Sequence, residues 1–166
     1  MADYQEHPSK VTTWRAGQFV VLQEAERADC TVWVAFDTDG DDASWEGLLA
    51  TTGDDGKVTV QSVPYFVYDL ALGDEVSTVA SAEGPLVAVE PTRRSGMLTF
   101  RVVFDGGDDR WLQLMRDLEP RSCWFDVRSP RFIAIAAPSE HAQAVADYLH
   151  GREQRGELQY EAGQTK

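Results

Sequence analysis

From Leu98 to Tyr160 the apolar residues switch between two periods in a fixed order, and that order leaves few folds open. Leu98-Thr99-Phe100-Arg101-Val102-Val103-Phe104 reads as a strand, closed by the turn Asp105-Gly106-Gly107. Trp111, Leu114, Met115 and Leu118 then recur at i, i+3, i+4 and i+7, the stripe of an amphipathic helix. Asp108 or Asp109 stands where a cap is needed, and Pro120 ends the segment. Residues 123–127 and 132–137 are strands separated by the hairpin turn Arg128-Ser129-Pro130-Arg131. Ser139 is placed to cap a second helix, whose stripe is Ala142, Val145, Ala146 and Leu149. Leu158-Gln159-Tyr160 follows Gly156 as a last strand. Strand, helix, strand, strand, helix, strand is the split βαβ arrangement. Residues 85–166 are therefore expected to form a ferredoxin-like β-α-β-β-α-β unit with both helices on one sheet face. The other face would dock on the rest of the chain and bury Trp124 or Phe100.

The preceding residues read differently. Residues 1–17 show no periodicity and contain His7-Pro8, the pattern of a flexible arm. Thr31-Val32-Trp33-Val34-Ala35-Phe36 has the β-branched and aromatic composition of a strand. Residues 46–51 and 57–63 flank Gly53-Asp54-Asp55-Gly56 as a hairpin. Pro64 and Leu72-Gly73-Asp74 bracket residues 65–71, and residues 75–80 and 86–89 add further strands. Short strands at this spacing imply a small curled β-sheet or open barrel. The fold class expected is α+β: an arm over 1–17, an acidic β lobe over 18–84, and the ferredoxin-like lobe over 85–166.

Charge divides the same way. The chain carries a formal net charge of −13. Residues 1–84 hold 4 basic and 16 acidic side chains, against 11 and 12 in residues 85–166. A field of this sign repels phosphate backbones and anionic lipids, so neither nucleic acid nor a membrane surface is an expected partner. No apolar run approaches the roughly 18 residues of a membrane span. The opening Met1-Ala2-Asp3-Tyr4-Gln5-Glu6 is too acidic for a secretory signal. Cys30 and Cys123 share no motif and read as reduced core residues, so a cytoplasmic protein is expected. The positive counterpart of the charge argument is a basic protein partner.

Sites of familiar chemistry are missing. Asp37-Thr38-Asp39-Gly40-Asp41-Asp42 resembles a calcium loop, yet counting from Asp37 puts Asp42 at position 6 and Leu48 at position 12, where Gly and Glu are required. His141 and His150 are nine residues apart on one helix and do not converge as ligands. Cys123 lies beside Trp124 and Phe125, the setting of a buried small hydrophobe. No nucleophile elbow, P-loop or dinucleotide fingerprint occurs. No catalytic residue, metal ligand or cofactor is expected. What remains is a set of candidates for a ligand or partner. Glu46, beside Trp45, is an acid inside a strand pattern, and burial would raise its pKa. Arg94 and Arg101 belong to a local cation cluster, and Arg101 is placed to pair with Glu46 or Asp74 across the lobes, or to bind an anion. Tyr65 completes the set.

Three segments, in order, carry a family resemblance. They are Trp45-Glu46-Gly47-Leu48-Leu49-Ala50; Val63-Pro64-Tyr65-Phe66-Val67-Tyr68 with Leu72-Gly73-Asp74-Glu75-Val76; and Arg94-Ser95-Gly96-Met97-Leu98-Thr99-Phe100-Arg101. Together with Gly156-Glu157-Leu158-Gln159-Tyr160-Glu161 they resemble the bacterial family of domain of unknown function 4265, over roughly residues 30–163. Leu49 stands where that family typically has tryptophan. The resemblance implies a fold and a bacterial origin, and it brings no catalytic residues with it.

Two functions are therefore expected to compete. The first is a non-enzymatic, acidic protein-binding or regulatory module of the immunity or inhibitor kind, engaging a basic partner. The second is a small-ligand binder or enzyme with its site at the seam of the lobes, using Glu46, Tyr65 and Arg101. Edge-to-edge pairing of sheets would allow a homo-oligomer under either reading.

Overall fold

The computed structural model describes residues 2–37, 42–106 and 108–163. Residues 38–41 of the acidic turn, and Gly107 of the turn after the 98–104 strand, lie outside them. Two six-stranded sheets face each other.

The first sheet is built from β1 (Asp3–Glu6), β4 (Cys30–Asp37), β5 (Ser44–Thr52), β6 (Lys57–Val60), β7 (Glu75–Ala80) and β8 (Leu86–Arg93). Its order is β1-β5-β4-β8-β7-β6, and β5 also pairs with β6. The additional pairing closes five strands into a barrel with β1 attached outside, where the sequence suggested a curled sheet or open barrel. The interior is filled by Val32, Leu48, Ala50, Val58, Val60 and Val76, residues supplied by the inward half of each two-residue alternation.

The second sheet has the order β12-β9-β11-β10-β2-β3. Its strands are β2 (Thr12–Arg15), β3 (Gln18–Val21), β9 (Met97–Phe104), β10 (Trp124–Ser129), β11 (Phe132–Pro138) and β12 (Leu158–Ala162), all paired antiparallel. A short helix α1 (Gln23–Glu26) follows β3, and the longer helices α2 (Arg110–Asp117) and α3 (Ala142–Gln154) follow β9 and β11. Leu114, Met115, Val145 and Leu149 pack on Phe100, Val102, Phe104, Phe125, Ile133 and Ile135. Phe100 therefore lies under the helices, and Trp124, one pleat out of phase with Phe125, packs at the seam. Neither expected cap forms a side-chain hydrogen bond: Asp109 precedes α2 without one, and Ser139 opens a 3-10 turn (Ser139–His141) ahead of α3. No helix among the described residues is long and apolar enough to cross a membrane.

The expected arm over residues 1–17 is instead structural. β1 lies parallel to β5, from Asp3↔Ser44 to Glu6↔Gly47, and β2 pairs with β10 at Phe125↔Thr12. Four-residue strands at sheet edges are too short to print a periodicity, and β1 is mostly exposed. β3 also belongs to the second sheet, so the chain crosses between sheets at residues 7–11.

Candidate functional site

The crossing brings together residues far apart in sequence. On β5 the alternation turns Glu46, Leu48 and Ala50 inward, and Glu46 sits at the barrel end that faces the second sheet, fully buried. On β10, Phe125 and Val127 face the helices while Asp126 faces the barrel, also fully buried. His7 leaves β1 between them. Its Nε2 lies 2.8 Å from Glu46 Oε1 and its Nδ1 2.7 Å from Asp126 Oδ2. The ring stacks on Tyr65 at 4.1 Å between centroids, and Tyr65 Oη donates to Asp126 Oδ1 at 2.6 Å. Small residues on the seam face of β11, Ala134 and Ala136, leave room for the two rings.

Residues 61–74 cross this seam without forming helix or strand. A buried segment without ladder partners must still place its N–H and C=O groups. Here charged side chains take them. Glu46 Oε1 accepts from the Tyr65 N–H at 2.6 Å, and Oε2 accepts from those of Phe66 and Val67, each at 3.1 Å. Asp126 Oδ2 accepts from the Val63 N–H at 3.2 Å. From the opposite direction Arg101 Nε donates to the Tyr65 carbonyl at 2.6 Å and its Nη2 to the Val67 carbonyl. Arg101 also lies over the Tyr68 ring, 4.5 Å from its centroid.

Electrostatics follow from this closed set. Burial works against a charge on His7, but the hydrogen bonds to Asp126 and Glu46 outweigh it and raise the imidazole to about 9. With His7 protonated, two cations (His7, Arg101) balance two carboxylates (Glu46, Asp126). Burial, the Asp126 charge and hydrogen bond, and Glu46 push the Tyr65 phenol well above its ordinary range, so it acts only as a donor. Burial pulls the Arg101 guanidinium down.

The sequence candidates thus divide. Glu46, Tyr65 and Arg101 meet at the seam, although Arg101 binds the carbonyls of the segment whose N–H groups Glu46 holds, rather than pairing with Glu46 itself. Asp74 and Arg94 form a separate cluster. Asp74 is buried, accepts from the N–H groups of Ala71 (3.0 Å) and Ser95 (2.8 Å), and pairs with Arg94 Nη1 at 3.1 Å. Trp45 is outside both: one residue from Glu46, it points to the opposite face, where it lines an outer surface with Tyr4 and Trp33. His7 and Asp126 were missed. Asp126 carried the same signal as Glu46, an acid in a strand of Trp, Phe and Val, whereas His7 in a short polar stretch carried none. Among the described residues no cluster of His, Cys, Asp and Glu is arranged to hold a metal ion.

Fold and site together define a class: a small five-stranded barrel joined to a helix-covered antiparallel sheet through a buried, charge-balanced seam. The sequence matches the family described as Domain of unknown function (DUF4265) over residues 46–160, and the chain belongs to it. A solved structure, of a hypothetical protein from Neisseria gonorrhoeae, is similar in fold: the TM-score is 0.70 at 19% identity, covering 81% of this chain and 93% of that one. No curated protein matches the sequence.

Proposed function

We propose that the protein is a non-enzymatic binding module whose acidic barrel engages a basic protein partner in the bacterial cytoplasm. One observation carries this reading. The residues with the chemistry for catalysis, His7, Glu46, Tyr65 and Asp126, have side chains committed to one another and to the backbone of residues 63–67. Arg101 spends Nε and Nη2 on the same backbone, while its Nη1 has no partner among the described residues, and the His7 and Glu46 side chains are 1% and 0% exposed. A general acid or base needs a substrate proton within reach, and this set has none. The seam reads as a strut that holds two sheets in register, which leaves the outer surfaces for function. Residues 1–84, which supply five of the six strands of the first sheet, hold 16 acidic and 4 basic side chains, with only Glu46 and Asp74 of those acids buried among the described residues. Two free thiols, Cys30 and Cys123, suit a reducing compartment. The strand order β12-β9-β11-β10 with α2 and α3 on one face supports reading the second sheet as a ferredoxin-like unit extended by β2 and β3. The rival, a ligand or catalytic site at the seam, loses support from the same burial.

Capture from lysate of the source bacterium at low ionic strength tests the proposal. A basic protein retained on the immobilised chain and released by moderate salt is the expected result; retention of none overturns it.

A further inference from the structure

On the outer face of the barrel the pairs Tyr4↔Trp45 and Trp33↔Val87 set aromatic side chains of β1, β5 and β4 beside one another. Gly47 lets them meet. It stands opposite Trp33 in the β4–β5 ladder, and a Cβ there would fall 2.9 Å from two carbons of the Trp33 ring. That ring therefore lies across β5 and meets Tyr4 edge to face, with 5.5 Å between centroids. Together with Trp45, Val87 and Glu83, which belongs to the turn between β7 and β8, the two rings line a cavity of about 290 Å³. Tyr4 is 59% exposed, Trp33 and Trp45 are half-buried, and Glu83 is exposed.

Elsewhere this chain covers its rings with its own cations. Arg15 lies over Trp124, Arg116 over Trp14, Arg101 over Tyr68, Arg128 over Phe66 and Arg152 over Tyr148, none further than 5.5 Å from the ring centroid. Among the described residues no cation covers Tyr4, Trp33 or Trp45, although tryptophan is the strongest aromatic partner of a cation. The charged side chain lining the cavity is acidic, Glu83, and the exposed Glu6 shares the Tyr4 face of β1, opposite Gly47. The four cations of residues 1–84 are placed elsewhere: Lys10 pairs with Glu26, Arg15 covers Trp124, Arg27 ends α1 and Lys57 stands opposite Ser77. Arg128 reaches β1 at Gln5, which the strand turns away from the Tyr4 face. We infer that this cleft receives an arginine side chain of the partner protein, its guanidinium laid against the tryptophans and its charge answered by Glu83. A planar, weakly hydrated guanidinium suits an aromatic face better than an ammonium does. The volume, just under the roughly 300–1,000 Å³ of small-molecule pockets, suits a single side chain. This rests on the reading of the protein as a module for a basic partner, and it names the contact.

A labelled peptide of alternating arginine and glycine, followed by fluorescence anisotropy against the intact chain, provides the test. It should bind more tightly than a lysine–glycine peptide of equal charge. The pair Trp33→Leu and Trp45→Leu should weaken it by about fivefold or more, with melting followed to show that the fold persists. Glu83→Lys, a change on an exposed turn, should weaken it as well and keeps the test readable if the tryptophan variant does not fold. Equal binding of the two peptides, or undiminished binding by Glu83→Lys or by the folded tryptophan variant, means adsorption by charge elsewhere and overturns the site, as does absence of binding. Tetramethylammonium that shifts the Trp33 and Trp45 indole resonances when the peptide does not overturns it in favour of a small ligand. If a captured basic partner binds the tryptophan variant undiminished, this site fails while the wider proposal stands. If the arginine peptide behaves as expected and no basic partner is captured, the wider proposal fails while the site stands.

Discussion

Nδ1 of His7 lies 2.7 Å from Oδ2 of Asp126, 119 residues further along the chain, and the same ring reaches Glu46 through Nε2 at 2.8 Å. One imidazole thus ties the N-terminal crossing to both sheets, to β5 through Glu46 and to β10 through Asp126. Buried ionic contacts of this kind stabilise only while each charge keeps its partner, and several consequences are measurable.

The first is a dependence on pH. His7 is raised from 6.5 to about 9 in the fold, so protonation favours the folded state. Its contribution is complete below pH 6.5, where the unfolded chain is also protonated, and is lost as pH rises through about 9. A tenfold change in proton affinity is worth about 1.4 kcal/mol, which puts the contribution on the order of 3 kcal/mol. In urea titrations His7→Gln should be less stable than wild type by roughly this much near pH 6. The gap should shrink towards pH 10; a constant gap refutes the linkage.

Glu46→Gln should cost about 3–5 kcal/mol. Four donors converge on this carboxylate, from His7 and from the backbone of Tyr65, Phe66 and Val67, and an amide offers one acceptor oxygen and two further hydrogens. Combined with His7→Gln, the loss should be less than additive by about 1–3 kcal/mol in a double-mutant cycle. Additive losses would mean the two residues act separately.

Arg101→Met removes the donors to the Tyr65 and Val67 carbonyls. Each carbonyl left unpaired in a buried site costs about 1–3 kcal/mol. Hydrogen exchange should accelerate first at the amides of residues 65–67, ahead of those in β9 and β11. Uniform acceleration over the whole chain would place the effect in global stability instead.

Asp74→Asn and Arg94→Ala separate the two partners of the second cluster. Asp74 is 1% exposed and holds two backbone N–H groups, so its replacement should lower stability by about 1–3 kcal/mol. Arg94 is 38% exposed at its side chain, and its loss should cost under about 1 kcal/mol. Urea midpoints for the two variants check the ranking.

The cysteines should differ in reactivity. Burial pushes the Cys123 thiol up to about 12 and leaves it 1% exposed, whereas Cys30 is half-buried. A thiol reagent at neutral pH should label Cys30 in the folded protein and Cys123 only on unfolding. Labelling of Cys123 at the faster rate would contradict its burial.

The helical stripe of Trp111 and Leu118 and the alternation around Arg101 are local patterns, and period alone placed α2 and β9 within a residue or two of their observed bounds. The strand pattern likewise singled out Glu46 as an acid among apolar neighbours, and the parity of β5 in the closed barrel then turns it inward. Asp126 was legible by the same rule, yet its significance was not, since an inward acid declares a need for partners without naming them. His7 left no trace at all: a histidine in a short polar stretch has no period to betray it. Its role arises from β1 pairing with β5 and β2 with β10, contacts between residues about 40 and 113 positions apart.

Sequence by itself thus determined the strands and helices between residues 98 and 160, the acidity of the first half and the place of Glu46 within a strand, all properties fixed by composition and short-range pattern. Tertiary structure alone decided that the barrel closes, that the first residues bridge two sheets, and that Glu46 ends beside His7 rather than Arg101. Closure and bridging are pairings across long loops, and the free energy that selects them comes from burying both sheets at once with every buried charge answered, a condition no local window of sequence contains.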